Sequence, residues 1–298
     1  MKQGNMKAFG NYHPLTLMVY FLSVLITAMF TTNPVMLSLV LLGGICFCTT
    51  LQRRRMFWSN FAFYLPLFLM IAVTNPLFSH NGVTTLFFLN GNPVTLEAIL
   101  YGVNIAAMLV AVIYWCKCYN EIMTSDKFLY LFGKAIPKLS LILSMALRFI
   151  PQFKAQIKRI SKAQKAMGLY SSGSYVDKIR GGCRVFMAII SWSLENAVET
   201  GNSMKARGYG LKGRSNFAIF RFTAPDGILL GTSLAFIVLT AVGLACKAVD
   251  FSFYPRITEI SAEPMALLTY ISYGALSFLP FMIEIKESLK WNYYISKI

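Results

Sequence analysis

Two short stretches of this 298-residue chain carry side chains arranged for contact chemistry. One reads Ala163-Gln164-Lys165-Ala166-Met167-Gly168; about forty residues later the other reads Met204-Lys205-Ala206-Arg207-Gly208-Tyr209-Gly210. Each sets a small residue, a long side chain and then a glycine at the end of a segment with helical apolar spacing. Such a tip suits docking in a groove: Ala206 and Gly208 permit close backbone approach, and the Arg207 guanidinium can fork onto a partner carboxylate. Gly208 also suits a helix stop, because the left-handed residue after a last turn is easiest for glycine. A lone Ala-Arg-Gly triplet means little, since such tripeptides are common by chance. The pairing carries the weight.

The segments that position these tips are amphipathic. Phe149, Phe153, Ile157 and Ile160 recur at helical steps, with Lys154, Lys158, Lys162 and Lys165 on the other side. Val176, Ile179, Cys183, Phe186, Ile190 and Ala197 form a second stripe, away from Lys178, Arg180 and Arg184, which predicts a second helix with that stripe buried. Residues 139–150 are apolar enough to touch a bilayer yet too short to span it. Long helices at the cytoplasmic membrane surface are expected, broken near Pro137 and Pro151 and at Ser171-Ser172-Gly173-Ser174.

Around this region the chain is written for lipid. Hydrophobic residues make up 56% and charged ones 13%, where a soluble domain carries about a quarter. No charge falls between Lys7 and Arg53, room for two passes that turn at Thr31-Thr32-Asn33-Pro34. A third pass ends near Phe78, a loop follows, and a fourth spans about 98–116. Two more run from Gly227 to Cys246 and from Pro264 to Ile283. The expectation is an all-α integral membrane protein with about six transmembrane helices plus long amphipathic cytoplasmic helices. Its parts are a membrane domain at 1–117, a cytoplasmic-side domain at 118–226 that carries the two signature helix ends, and a second membrane domain at 227–298. With both termini cytoplasmic, 26 of the 28 lysines and arginines lie inside, as the positive-inside rule asks.

Several chemistries find no support. No phosphate-binding Gly-x-x-x-x-Gly-Lys-Ser/Thr loop appears, so ATP hydrolysis by this chain alone is not expected. His13 and His80 sit in no metal spacing, and the six cysteines form no Cys-x-x-Cys pair. No Asp or Glu lies within the passes, which leaves a proton or sodium relay without carriers. Asn104, the most polar residue of the fourth pass, reads as an interhelical hydrogen bond. The net charge of +16 follows from membrane orientation rather than nucleic-acid binding.

The two glycine-ended signatures, the first preceded by Leu147-Arg148-Phe149-Ile150-Pro151, resemble the paired Ala-Arg-Gly motifs of the transmembrane T component (EcfT/CbiQ-like) of energy-coupling factor transporters. Asn75-Pro76-Leu77-Phe78 with Gly82 resembles that family's segment after the third pass. The resemblance implies a non-catalytic subunit of an ATP-driven importer of a vitamin or metal ion in the bacterial plasma membrane. Two non-identical ATP-binding cassette ATPases, holding ATP and magnesium, would each receive one coupling helix, and a substrate-specific membrane S component would pack alongside. This chain would bind no cofactor itself. Carried over by residue, Gln164, Ala166, Met167 and Gly168 form the first coupling motif and Ala206, Arg207 and Gly208 the second, with Arg148 and Pro151 in support. Met167 departs from the family's arginine, so the first tip would dock by packing and the second by packing plus charge. A self-contained secondary carrier and a membrane-bound enzyme are the rival classes; the missing intramembrane acids weigh against the first and the missing catalytic constellation against the second.

Overall fold

The computed structural model describes residues 8–51, 54–79, 81–89, 92–168, 175–209 and 220–295. In chain order these form α1 (Pro14–Phe30), α2 (Pro34–Leu51), α3 (Arg54–Phe78), β1 (Thr85–Leu89), β2 (Asn92–Thr95), α4 (Leu96–Ile122), α5 (Ser125–Ala135), α6 (Pro137–Ala166), α7 (Tyr175–Ala206), α8 (Ala224–Ala245) and α9 (Pro264–Ile295). They divide into two compact units, residues 1–128 with 220–298, and residues 129–219.

In the first unit the charge-free runs become helices because an apolar solvent leaves the backbone no partner but itself. Proline opens α1, α2 and α9, where its missing N–H loses no helical bond. Among the described residues five helices are long and apolar enough to cross a membrane, namely α2, α3 from Asn60, α4, α8 and α9; α1, at 17 residues, is the shorter sixth. The six run alternately between two ends of the bundle. One end gathers the Thr31–Asn33 turn and residues 249–254, where Thr32 Oγ1 donates to the Phe251 carbonyl at 3.1 Å. The other gathers residues 8–13 with Lys127, Asp226 and Glu284.

The core is aromatic. Phe9, Tyr20, Phe21, Phe47 and Trp115 are wholly buried, with Phe9 edge-on to Tyr20, Phe21 and Phe47 at 5.4, 6.1 and 5.7 Å. Their polar atoms are used: Trp115 Nε1 donates to the Val40 carbonyl at 2.9 Å and the Tyr20 hydroxyl to that of Leu276 at 2.7 Å. Asn104 Nδ2 donates to the Thr32 carbonyl at 2.7 Å, so its polar crosslink ties α4 to the turn between α1 and α2 and not, as expected, to another helix. Asn33 does more: Oδ1 accepts the Val35 N–H at 2.9 Å, and Nδ2 reaches the Val249 carbonyl at 3.2 Å and the Tyr270 hydroxyl at 3.0 Å. Asn33→Ala removes a helix cap and two buried bonds, so we expect a loss of about 2 kcal/mol, read as a lower unfolding midpoint in detergent.

Where a plain loop is expected after α3, β1 and β2 form an antiparallel hairpin, pairing Thr85 with Thr95 and Leu89 with Asn92 and bulging between Thr85 and Phe87. Its base is tied to α4: the Thr84 N–H donates to the Glu97 carboxylate at 3.2 Å, and Thr95 Oγ1 caps α4 through the Ala98 N–H. Gly82 stands at φ +132°, which side chains rarely adopt, and a Cβ there would also lie 2.9 Å from the Thr95 Cβ. Asn75 Nδ2 donates to the Ala98 carbonyl at 2.9 Å, locking the end of α3 to the start of α4.

The second unit is built on α6 and α7. The break expected at Pro137 is present: Ile136 takes φ −135° and ψ 84°, as a residue before proline is pushed to do, and α6 starts behind it. The break expected at Pro151 is absent, and α6 runs through it for 30 residues. The proline deletes one backbone bond, while Phe149 and Phe153 hold the helix on both sides of it, with Phe153 edge-on to Trp192 of α7 at 5.7 Å. The Ser171–Ser174 break lies outside the described residues. On α7 the expected buried stripe is open instead: Ile179 and Phe186 are 69% and 63% exposed. The half-buried face is Val185, Ile189, Trp192 and Asn196, above a buried Gly181. Hydropathy finds the most apolar stripe of a helix, but a single neighbouring helix covers only one side of it, and here it covers the mixed one.

Candidate functional site

The two signatures end α6 and α7 in the same way. At the end of α7 the Arg207 N–H donates to the Ser203 carbonyl at 3.1 Å, Gly208 to Lys205 at 3.0 Å and Tyr209 to Met204 at 3.0 Å. Gly208 stands at φ +78°. The bonds from Gly208 and Tyr209 are the paired closures of a Schellman cap, which satisfies the last carbonyls and fixes the direction in which the chain leaves. At the end of α6, Met167 donates to Ala163 at 3.1 Å and Gly168 to Lys165 at 3.0 Å, with Gly168 at φ +74°. The bond that would complete this cap falls on Leu169, outside the described residues, as does Gly210 of the second signature.

The exposed atoms are those a docking tip needs. Ala166, Met167 and Gly168 all face solvent at the first tip, with Met167 67% exposed. Ala206 and Arg207 are exposed at the second, and Gly208 is half-buried. Gln164 differs: it is 7% exposed and its contacts lie within the chain. Arg148 and Pro151 are exposed near the middle of α6, well short of its tip. Lys154, Lys158, Arg159, Lys162 and Lys165 are exposed along the second half of α6 and surround the first tip with positive charge.

The glycines can be tested without touching any partner. A Cβ at Gly168 would meet nothing within 4 Å, so a substitution there costs only backbone strain. Gly168→Ala should weaken the cap by about 1 kcal/mol, speeding amide exchange at Met167 and Gly168 about fivefold, while Gly168→Asn, which tolerates the left-handed region, should cost less.

Sequence reasoning misses four buried charged side chains: Glu97, Lys127, Asp226 and Glu284. The three carboxylates among them stand one residue outside a charge-free run, where they read as boundary markers. The usable signal is Thr223-Ala224-Pro225-Asp226, the spacing of a capping box, and the Asp226 carboxylate does accept the Thr223 N–H at 2.8 Å. No group of three or more His, Cys, Asp or Glu side chains placed to hold a metal occurs among the described residues.

The energy-coupling factor transporter transmembrane protein EcfT of Listeria innocua is 36% identical over 97 residues, which is 32% of this chain and 37% of that protein. The EcfT of Lactobacillus helveticus is 29% identical over 118 residues, 39% of this chain and 41% of its own. That of Leuconostoc gelidum is 22% identical over 200 residues, 63% of this chain and 74% of its own. The chain therefore spans about two fifths of the length of the first two relatives. The family described as cobalt transport protein, CbiQ, matches residues 12–219, from the start of the first membrane helix through both glycine-ended tips. A match over more than half the chain, on an all-helical membrane scaffold with paired tips, places this protein in the CbiQ family, the transmembrane T components of energy-coupling factor transporters.

Proposed function

We propose that this chain is the energy-coupling membrane subunit of an ATP-driven importer for a micronutrient, a vitamin or a metal ion. Two partner ATPases, with their own ATP and magnesium, hydrolyse nucleotide in the cytoplasm; each holds one of the tips at the ends of α6 and α7. Their closure moves the two helices relative to each other, and a separate substrate-binding membrane subunit follows. This is rigid-body transmission through packed helix ends.

The observation that carries the reading is the repetition: Lys-Ala-Met-Gly and Lys-Ala-Arg-Gly each end a long helix on a left-handed glycine, with the residue before it open to solvent. Arg207 would pair with a carboxylate in one ATPase groove, and Met167, an adaptable apolar filler, would sit in the other, which suits two non-identical ATPases. The open stripe of α7, with Ile179 and Phe186, offers apolar surface for the substrate subunit or for lipid. The excess of lysine and arginine supports the tips and both termini on the cytoplasmic side.

Co-expression of the tagged chain with candidate ATPases from the same genome tests this. Stoichiometric capture in mild detergent is the expected result. If no ATPase binds, the coupling reading is lost, and transport by the chain alone in liposomes becomes the question.

A further inference from the structure

Residues 8–13 precede the first membrane helix and need not be ordered for the chain to span a bilayer. Instead three buried charged side chains from three different helices close on them. The Glu284 carboxylate of α9 accepts the Ala8 N–H at 3.2 Å and the Phe9 N–H at 3.1 Å. The Lys127 ammonium of α5 donates to the Gly10 carbonyl and, at 3.1 Å, to that of Ile122. The Asp226 carboxylate of α8 accepts the His13 N–H at 2.7 Å, together with the Thr223 N–H and hydroxyl at 2.8 and 2.5 Å. Phe9 carries the same segment into the aromatic core.

The places of Lys127 and Asp226 give this its meaning. The chain leaves the membrane unit at Phe128 and returns to it at Phe220. Lys127, in the first turn of α5, is therefore the last residue but one of the membrane unit on the way out, and Asp226 belongs to the first turn of α8, the helix by which the chain re-enters it. Burying a charge is costly unless its hydrogen bonds are met, and each of the three meets part of that need with backbone groups of one six-residue segment. Both roots of the coupling unit are thereby fastened to a single point, which is fastened in turn to α9 and to the core.

We propose that residues 8–13 form a strap through which Lys127, Asp226 and Glu284 act as positioning residues for coupling: the strap holds the outgoing and returning connections of the coupling unit against the membrane helices, so that motion of the tips reaches those helices. The proposal rests on the coupling function proposed above. Without the strap the tips still dock, but their movement is taken up at the two connections.

His13 offers a clean test. It stands at φ −58°, and the preceding Tyr12 at φ −69° and ψ 159°, both of which accommodate a proline at position 13. His13→Pro thus deletes the N–H given to Asp226, while His13→Ala keeps it; both variants lose the imidazole, with its bond from the Leu15 N–H and its edge-on contact with Phe222 at 5.4 Å, so the difference between them isolates the backbone N–H. The full chain, captured with its ATPases in detergent, is compared with and without ATP and vanadate by hydrogen exchange.

In wild type, trapping should change exchange in residues 8–13 and in the first turns of α1 and α8. In His13→Pro the change there should vanish, and untrapped exchange of residues 8–12 should rise about tenfold, with ATPase capture and the response of α6 and α7 unaltered. His13→Ala, which loses the same ring and keeps the N–H, should retain the change on trapping. Lys127→Met, which keeps the length of the side chain, should repeat the proline result and decides the matter if His13→Pro does not fold. Equal transmission in wild type, His13→Pro and Lys127→Met, or none in wild type, overturns the strap. Failure of the wild type to capture any ATPase overturns the coupling reading itself, a separate result.

Discussion

A chain carrying Arg207→Glu is expected to lose capture of one ATPase while remaining as stable and as well folded as wild type. The side chain is exposed at the end of α7, and the bond that holds this residue in the helix is made by its backbone N–H to Ser203. Reversing the charge therefore leaves the cap intact. In the docked state proposed above, where Arg207 pairs with a carboxylate of the ATPase, the same change would remove a forked, charge-assisted pair and set two carboxylates against each other, a loss of about 2–5 kcal/mol, roughly thirtyfold to several thousandfold in affinity. Arg207→Lys should lie between, since an ammonium keeps the charge and loses the fork. Co-purification together with a thermal scan separates the outcomes. Normal capture and uptake by the Arg207→Glu variant would remove Arg207 from the interface; loss of capture with a fall in the unfolding midpoint would make it a stability residue instead.

Gly102→Val is expected to destabilise the membrane unit strongly. A Cβ at Gly102 would stand 2.6 Å from the Ala72 carbonyl oxygen, 3.1 Å from the Asn75 Cβ and 3.3 Å from the Pro76 Cδ. The first of these is backbone in the middle of a helix and cannot swing aside. Relief requires α3 and α4 to part, which also stretches the bond from Asn75 Nδ2 to the Ala98 carbonyl. Overpacking against backbone costs about 3 kcal/mol, enough to lower the unfolding midpoint by roughly 5–10 °C. Gly102→Ala meets the same oxygen and should do nearly as much harm. A midpoint unchanged in both variants would show that α3 and α4 do not approach this closely.

The membrane helices are legible in the sequence because lipid imposes a simple rule, and charge-free runs obey it. The turn at Thr31–Asn33 and the helix start at Pro137 are legible for equally local reasons, a polar cluster before proline and a proline that disfavours helix in the residue before it. What escapes is whatever depends on a neighbour. Asn90-Gly91 between Thr85–Leu89 and Asn92–Thr95 is a hairpin signal in the sequence, obscured by the apolar character of the whole stretch. Pro151 reads as a break because proline usually is one, but the packing of Phe149 and Phe153 outweighs one missing bond. The α7 stripe is apolar as read but not buried, since hydropathy carries no information on which side a neighbour stands. At the candidate site, the glycine stops can be read from residue type alone. The burial of Gln164 beside an exposed Met167 cannot, because it depends on how the last turn of α6 is packed.

The unbroken course of α6 through Pro151 has a mechanical consequence. Thirty residues make a rod of about 45 Å, long enough that a tilt of about 10° at one end displaces the other by roughly 8 Å. Midway along it, proline supplies no amide to the Leu147 carbonyl, so one rung of the ladder is missing while the rod stays whole. Thrust along the axis is borne by every remaining rung; a sideways load is concentrated at the gap. Such an element is stiff in compression and compliant in bending, and it selects by direction which forces at its tip are delivered to its root.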